Sequence, residues 1–204
     1  MPAEHAAASP AAPLLAVCGT LKPAVGREES SACREFLRLA LVPVASIYPL
    51  IETLDLREAQ LPCFDGRQPW EYSHPKLVAA RAAVVSAGGY VFSVPAYWGG
   101  IGSAFKNFVE TVCGPGYEGQ RSPFAGKPAA VLIVGSGPRA ANAAAPQVEA
   151  VLEALDVVLV APPILVGDPS RLEDAAGAVQ VLTAAAASVV LAQPILALKD
   201  QAEQ

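Results

Sequence analysis

The loop Pro95-Ala96-Tyr97-Trp98-Gly99-Gly100 carries the residues of this chain that are best suited to holding a flat ligand. Its glycines let backbone approach a ligand closely, and Tyr97 and Trp98 could stack on a ring. The same residues would also suit a hydrophobic turn at a subunit interface. If the apolar segment before the loop is a parallel strand, the loop lies at the sheet edge where α/β proteins bind ligands. A planar, partly charged cofactor such as a flavin ring would fit there.

Two further loops carry groups that suit a phosphate and the polar edge of a ring. Segment 19–31 precedes a predicted helix, whose first amides carry partial positive charge and attract anions. Its candidate phosphate contacts are Thr20, Arg27, Ser30 and Ser31, although the serines also fit ordinary helix capping. The third loop, Gly135-Ser136-Gly137, leaves backbone amides free to contact a ring edge. None of the three loops completes a Walker A, GxGxxG or GxSxG sequence.

Composition excludes several other classes of function. The chain has 204 residues, 53% of them hydrophobic, and a net charge of −5, which indicates one compact domain. Because there is no dense run of lysine and arginine, we expect neither a nucleic-acid nor a membrane partner. Four dispersed cysteines and two histidines predict no metal site and reduced thiols in a cytoplasmic protein. Residues 1–13 are predicted to be a disordered lead-in to a single domain over 14–199.

Apolar segments of strand length alternate with helix-length segments and must position these three loops. The predicted strands are Leu14–Cys18, Val44–Leu50, Tyr90–Val94, Ala129–Val134 and Val157–Ala161. The predicted helices include Ser30–Leu41, Ser103–Val112 and a last one over Arg171–Ala192, ended by Pro194. This alternation predicts an α/β, flavodoxin-like doubly wound parallel sheet of order 2-1-3-4-5, with helices on both faces. A six-stranded dinucleotide-binding fold is the alternative.

Several short motifs resemble those of the NAD(P)H-dependent FMN reductase family. That family typically has a Gly-Ser-x-Arg-x-x-Ser loop, a Pro-x-Tyr-Asn-Gly segment leading to Leu-Lys-Asn, and an Ala-Gly-Lys-Pro run. Here Pro95-x-Tyr97-Trp98-Gly99 leads to Phe105-Lys106-Asn107, and Ala125-Gly126-Lys127-Pro128 precedes the fourth strand. Two features depart from the pattern. Trp98 replaces the usual asparagine, and the first loop is longer, with Arg27 further from Gly19.

The resemblance implies that FMN binds across the three loops and accepts hydride from NADPH or NADH. The implied contacts are Thr20, Arg27, Ser30 and Ser31 for the phosphate, and Pro95, Ala96, Tyr97, Trp98, Gly99, Gly100, Gly135, Ser136 and Gly137 for the ring. The flavin would carry the chemistry, so no catalytic side chain is expected. Electrons would pass to free flavin, a quinone or another small acceptor. A reductase specialised for one metabolite and a non-enzymatic flavodoxin-like carrier are the alternatives.

The resemblance also implies a homodimer or homotetramer, for which the apolar helix Ser103–Val112 is a candidate interface. Lys106 and Asn107 are predicted to be structural, holding the start of that helix and its loop. For the 2′-phosphate of NADPH the candidates are Arg27, Arg121 and Arg139, each of which also fits a solvated surface charge.

Overall fold

The computed structural model describes residues 12–23, 31–117 and 119–202, so most of the predicted lead-in lies outside the described residues. The strands in this part of the chain are β1 (Leu14–Cys18), β2 (Ile51–Asp55), β3 (Gly89–Tyr97), β4 (Gly100–Ile101), β5 (Pro128–Gly135), β6 (Val158–Leu159) and β7 (Ile164–Val166). The helices are α1 (Ala32–Ala45), α2 (Leu56–Ala59), α3 (Pro75–Ser86), α4 (Ser103–Cys113), α5 (Pro138–Ala154) and α6 (Leu172–Ala202). One turn of 3-10 helix lies at Pro69–Glu71.

The strands form one sheet in the order β2-β1-β3-β5-β6, and all of these neighbours are parallel. β7 continues the outer position beside β5, and the short β4 folds back antiparallel onto β3. With β5 as the fourth main strand and β6 as the fifth, this is the predicted flavodoxin-like order 2-1-3-4-5. β1 ends at Cys18, opposite Ser93, so the loop after β1 begins beside the last residues of β3, which continues to Tyr97.

Helices cover both faces of the sheet, and β1 shows how the two cores are divided. Leu15 and Val17 point into a cluster shared with α3, α4 and α5. Leu14, Ala16 and Cys18 point to the opposite face, into a cluster shared with α1 and α6. Alternate side chains of a strand point to opposite faces, so a strand buried on both sides is apolar throughout.

The apolar face of α4 is packed inside the chain itself. Phe105, Phe108 and Val112 are fully buried. The Phe105 ring meets Phe92 edge-on at a centroid distance of 5.5 Å, and Phe108 meets Phe124 at 5.9 Å. This face is therefore covered by its own core, contrary to the prediction that it forms a subunit interface.

The second strand lies further along the chain than predicted, because helix α1 is longer. Val44 continues the buried stripe of α1 that contains Leu37, Ala40 and Leu41, at the spacing of one helical face. The helix thus absorbs the start of the segment predicted as a strand over residues 44–50. The actual strand, Ile51–Asp55, is at the edge of the sheet and partly exposed, which explains its mixed composition.

Pro95 lies within β3, although its position suggested the end of strand pairing. It pairs with Val134, and the ladder to β5 continues to Ala96 opposite Gly135. The Pro95 carbonyl points to the other side of the strand, where it accepts the Gly102 N–H at 2.7 Å. The missing N–H of the proline therefore costs no hydrogen bond to β5.

Helix α6 continues through Pro194, where the sequence predicted its end. Its segment Glu173–Gln193, with a mean hydropathy of 1.9, is long and apolar enough to cross a membrane by length and composition. This is weak evidence, because core helices of soluble proteins pass the same test. Here Leu182, Ala186 and Val189 are buried against the sheet and α1. The absence of a membrane partner stays a prediction.

Candidate functional site

A cavity of about 610 Å³ opens at the carboxyl edge of the sheet, between the loops that follow β1, β3, β5 and β7. Six of the predicted site residues line it, namely Ser31, Pro95, Ala96, Tyr97, Gly135 and Ser136. They come from three separate loops, and the parallel order of the strands brings them together. This size is in the range of ordinary ligand pockets.

One end of the cavity is suited to an anion. Helix α1 begins there with Ser31 as its N-cap, and the side chain of Ser31 makes no capping hydrogen bond. Among the residues that the structure describes, no side chain therefore caps the first amides of the helix, which carry the positive end of the helix dipole. Lys22 lines the same cavity and adds a full positive charge.

Lys22 was missed as a site residue, although the sequence contained a signal for it. It stands three residues after Gly19, where the pattern Gly-Ser-x-Arg has its basic residue. Sequence reasoning assigned that role to Arg27 instead. Arg27 and Ser30 lie outside the described residues, and their assignment stays a prediction.

The described part of the first loop is tied to its surroundings by two arginines. Arg34 of α1 donates to the Lys22 carbonyl at 2.9 Å and to both carboxylate oxygens of Asp55, at 2.7 and 3.1 Å. Hydrogen bonding to Asp55 raises the pKa of Arg34. Arg57 of α2 donates to the Leu21 carbonyl. The backbone of Leu21 and Lys22, next to the cavity, is therefore fixed by side chains of α1 and α2.

The second loop is a tight hairpin formed by the end of β3 and β4. Tyr97 pairs with Gly100, and the two residues between them, Trp98 and Gly99, have φ values of 50° and 81°. These values are those of a type I′ turn. Gln147 of α5 holds the turn by donating to the Gly99 carbonyl at 3.0 Å.

Within this hairpin the two aromatic residues differ sharply in environment. Tyr97 is about 40% exposed and lines the cavity, and its hydroxyl lies 3.5 Å from the hydroxyl of the fully buried Thr20. The Trp98 side chain is fully exposed at the tip of the turn. Trp98, Gly99 and Gly100 thus lie beyond the part of the hairpin that faces the cavity, and their flavin contacts stay predictions.

The third loop lines the cavity and packs tightly against the start of α5, because glycine occupies position 135. A Cβ atom there would lie 2.8 Å from the Ala141 amide nitrogen and 3.0 Å from the Gly137 carbonyl oxygen. Any larger residue would force α5 away from the end of β5. Gly137 is the N-cap of α5, and its φ of −176° is open to any residue.

A fourth loop, after β7, also lines the cavity and was not predicted. Asp168 accepts hydrogen bonds from the hydroxyl and the amide of Ser170, at 2.6 and 3.1 Å. These hydrogen bonds lower the pKa of Asp168. Glu35 of α1 lines the cavity as well, but it pairs with Arg38 at 2.7 Å. A turn-forming Gly-Asp-Pro-Ser run after the last strand was the available signal.

Asn107 makes structural hydrogen bonds, but to the segment after α2 rather than to the loop before α4 as predicted. Its side-chain oxygen accepts the Phe64 amide at 2.8 Å, and its side-chain nitrogen donates to the Pro62 carbonyl at 2.9 Å. It thereby fixes the segment after α2 against α4. Lys106 pairs with Glu110 one turn along the same helix, at 2.5 Å.

Solved structures of flavoenzymes share this fold. An apo NADH:FMN oxidoreductase, EmoB, is 20% identical, with a TM-score of 0.64 over 89% of each chain. The NAD(P)H:(acceptor) oxidoreductase FerB from Paracoccus denitrificans is 17% identical, with a TM-score of 0.60 over 88% of this chain and 95% of that one. The azoreductase AzrA is 15% identical, with a TM-score of 0.59 over 87% and 100%. At these identities the likeness shows the fold alone.

Comparison with protein-family models identifies the family of the chain. No curated protein matches the chain. The family model for NADPH-dependent FMN reductase matches residues 13–169, which include the first three loops of the cavity and most of the fourth. The chain therefore belongs to the NADPH-dependent FMN reductase family and is a flavin-dependent NAD(P)H oxidoreductase of that type.

Proposed function

We propose that the chain binds FMN in the 610 Å³ cavity, takes hydride from NAD(P)H and passes the electrons to free flavin, a quinone or another small acceptor. The observation that carries the proposal is the polarity of the cavity. The cavity is lined by the N-terminus of α1, whose N-cap Ser31 makes no capping hydrogen bond, and by Lys22, and it is also lined by Tyr97 and the glycine loop at Gly135. FMN needs cationic groups for its phosphate and an aromatic or glycine-lined wall for its ring, and this cavity contains both.

The residues present fit FMN in charge as well as in shape. The first amides of α1, Ser31 and Lys22 would hold the phosphate, because a dianion gains most from helix amides together with a cation. Glu35 opposes this little, since Arg38 neutralises it. Asp168 carries a negative charge toward the cavity, and its oxygens suit the hydroxyl groups of the ribityl chain better than the phosphate.

The protein groups position and shield the reacting ring. When bound, FMN would supply the hydride and electron transfer itself. The backbone of Pro95 and Ala96 forms the floor of the cavity, and Tyr97 forms a wall that Thr20 steadies from behind. Gly135 lets the third loop pack tightly against the start of α5, where it lines the cavity beside Ser136. A rigid site of this kind favours the stacked geometry that hydride transfer needs.

A reductase specialised for one metabolite and a flavodoxin-like carrier remain the two other functions to test. The adjoining cavities favour an enzyme over a carrier, because a carrier needs no room for a second small molecule beside its flavin. Two such cavities, of about 300 and 690 Å³, continue from the first one along the same edge of the sheet. Turnover with free FMN or a quinone would distinguish a general reductase from a specialised one.

The proposal includes a cytoplasmic homodimer or homotetramer. On α3 the apolar side chains of Val78 and Val85 are exposed and supply surface for self-association. Light scattering coupled to gel filtration measures the assembly directly. A monomer at micromolar concentration would contradict this part of the proposal and leave the flavin chemistry untouched.

The proposed function is tested by an anaerobic titration of the FMN-loaded protein with NADPH and then NADH. We expect rapid loss of the oxidised flavin absorbance band. A band that persists with both nucleotides would favour a carrier, and failure to bind FMN would refute the proposal.

A matched pair of variants tests the phosphate end of the cavity. Lys22→Gln removes one charge-assisted contact, worth about 1.5–3 kcal/mol, so the FMN dissociation constant should rise at least tenfold. Riboflavin, which lacks the phosphate, should bind the variant and the wild type equally. Lys76→Gln, at an exposed lysine on α3, is the control and should leave FMN binding unchanged.

A further inference from the structure

The solvent side of helix α6 differs in charge from the solvent sides of other helices. α1 carries the ion pair Glu35–Arg38 on its outer side, and α4 carries Lys106–Glu110. In α6, by contrast, residues 175–198 include no charged residue. A helix side that faces only water usually carries charged and polar residues. The exposed side of α6 is therefore suited to a binding partner rather than to water.

Five exposed residues form a regular stripe along this side of α6. They follow one another at intervals of four, three, four and three residues, and they are Gly177, Val181, Ala184, Ser188 and Leu191. These residues are the outer stripe. The opposite side of the helix is buried against the sheet and α1. Spacing of this kind places side chains in the line along which two helices pack side by side.

The residues at this spacing increase in size along the helix. The outer stripe begins with Gly177, contains Ala184 and ends with Leu191, which is 72% exposed. In the sequence the same spacing continues with Ile195 and Leu198. An antiparallel copy of the helix would set the large residues of one chain against the small residues of the other, so that the side chains interdigitate. A parallel copy would set small against small and large against large.

The charges at the two ends of α6 favour the same orientation. Glu173 and Asp174 lie in the first turn of the helix, and Lys199 lies close to its end. Antiparallel pairing brings the acidic start of each helix near Lys199 of the other copy, whereas parallel pairing brings like charges together. The contact of Asp174 with Arg171 of its own chain is exposed and long, at 4.0 Å, so it competes little with such a pair.

We propose that the outer stripe of α6 binds the same stripe of a second copy of the chain, as an antiparallel helix pair centred near Ser188. With 31 residues, α6 is about 46 Å long, and a contact about 10 Å wide would bury on the order of 900 Å² in total. This area is small for a specific interface, so we expect a reversible dimer. The inference deepens the assembly part of the proposed function and does not depend on flavin binding.

This surface is distinct from the exposed valines of α3. The core residues of α3 belong to one face of the sheet and those of α6 to the other, so Val78 and Val85 lie on the opposite side of the molecule. One interface cannot include both surfaces. Substitutions on the two helices therefore separate them.

A membrane surface is the other apolar partner that an uncharged helix side could meet. Helices that bind membranes combine large apolar side chains with lysine and arginine. The outer stripe has small residues at Gly177, Ala184 and Ser188, and α6 begins with Glu173 and Asp174, which anionic lipid repels. A copy of the same helix fits these features better than a lipid surface does.

Sedimentation velocity over a hundredfold range of protein concentration tests the surface. We expect the wild type to change from monomer to dimer, and Ala184→Glu, which places a charge on the outer stripe, to stay monomeric. Ala176→Glu is the matched control, because Ala176 is exposed on α6 outside the stripe, and it should dimerise like the wild type. A wild type that stays monomeric, or a dimer that is lost in Val78→Glu and kept in Ala184→Glu, would overturn the inference. FMN binding, measured on the same samples, should be equal in all of these variants.

Cross-linking tests the orientation of the two helices. In a Cys63→Ser background, which removes the exposed native thiol, Ser188→Cys should be joined to its own copy by a short bismaleimide. Gly177→Cys should not, because the two copies of residue 177 would lie about 30 Å apart, and a Cβ atom there meets nothing within 4 Å. Cross-links at both positions, or at neither, would overturn the antiparallel pair. Binding of monomeric wild type to phosphatidylglycerol vesicles, lost in Ala184→Glu, would also overturn it and assign the stripe to a membrane.

Discussion

Replacement of Trp98 by asparagine should make the protein more stable. Trp98 has a φ of 50°, in the left-handed region that non-glycine residues rarely adopt. Asparagine tolerates this region, and Asn-Gly is the preferred pair in a two-residue hairpin turn. The tryptophan ring is fully exposed, so the substitution removes no buried apolar surface.

The size of the effect follows from the backbone alone. A side chain with Cβ in the left-handed region costs about 1–2 kcal/mol, and asparagine recovers part of this by local hydrogen bonding. We therefore expect a gain of about 1 kcal/mol in the free energy of unfolding. For a chain of 204 residues this raises the melting temperature by about 2–4 °C.

The assay is urea unfolding followed by circular dichroism, supported by calorimetry. Trp70 provides the control, because its ring is also largely exposed, at 69%, and lies in the 3-10 turn Pro69–Glu71. Positive φ is recorded at Trp98 and not at Trp70. Trp70→Asn should therefore bring no gain in stability and a loss of about 0.5 kcal/mol at most.

A loss of stability in Trp98→Asn would refute this reasoning, because it would mean that the ring makes contacts that outweigh the strain. If the loss appeared only at high protein concentration, those contacts would belong to a second copy of the chain. A gain in stability together with slower flavin turnover would indicate that the strain is retained for function.

Two further predictions concern the half-buried Asn107 and the buried Cys33. Asn107→Ala should cost about 1–2 kcal/mol in unfolding free energy, because it removes two partly buried hydrogen bonds, to the Phe64 amide and the Pro62 carbonyl. Lys106→Gln breaks only a partly exposed ion pair and should cost about 0.5 kcal/mol or less. Burial, and then the nearby Cys18 thiol, raises the pKa of Cys33 from 9.0 to about 12. Between pH 9 and pH 12 the Cys33 thiol keeps its proton in the folded state and has lost it in the unfolded state. The free energy of unfolding should therefore fall as the pH rises above about 9. In urea unfolding at pH 7 to 10.5 under reducing conditions, Cys33→Ala should flatten this decline. The control Cys63→Ala, at an exposed thiol, should not, and equal slopes in both variants would contradict the assignment.

The sequence predicted a strand or helix correctly where its hydrophobic pattern is unambiguous. β1 is a short apolar run between polar segments, and its predicted bounds, Leu14–Cys18, are confirmed. β2 was misplaced because an edge strand has one solvated side and a weaker pattern, while the helical spacing of Leu41 and Val44 was hidden in an apolar run. Pro95 misled because no strand of the sheet needs its missing N–H. Pro194 misled because helix α6 continues past it, although a proline inside a helix leaves the carbonyl four residues earlier without its usual N–H partner.

The candidate site was predictable where a loop follows its strand directly. The cavity contains the predicted residues Ser31, Pro95 to Tyr97 and Gly135. For Asp168 the sequence showed a turn, but its place at the cavity could not be predicted, because the outer strand is broken into β6 and β7 and only the folded sheet shows which loop comes next to β5. The exposure of Trp98 depends on the hairpin turn, which sequence spacing alone does not define.

The long first loop need not weaken the phosphate end of the cavity. The entropy cost of closing a loop grows only with the logarithm of its length, by about 0.6 kcal/mol for each doubling, so several extra residues cost little. What the site requires is a fixed backbone at Leu21 and Lys22. Arg34 and Arg57 supply this by holding the carbonyls of those two residues, and Asp55 in turn holds Arg34. The position of the Lys22 backbone is therefore set by described contacts outside the loop, and Arg34→Gln or Arg57→Gln should loosen it.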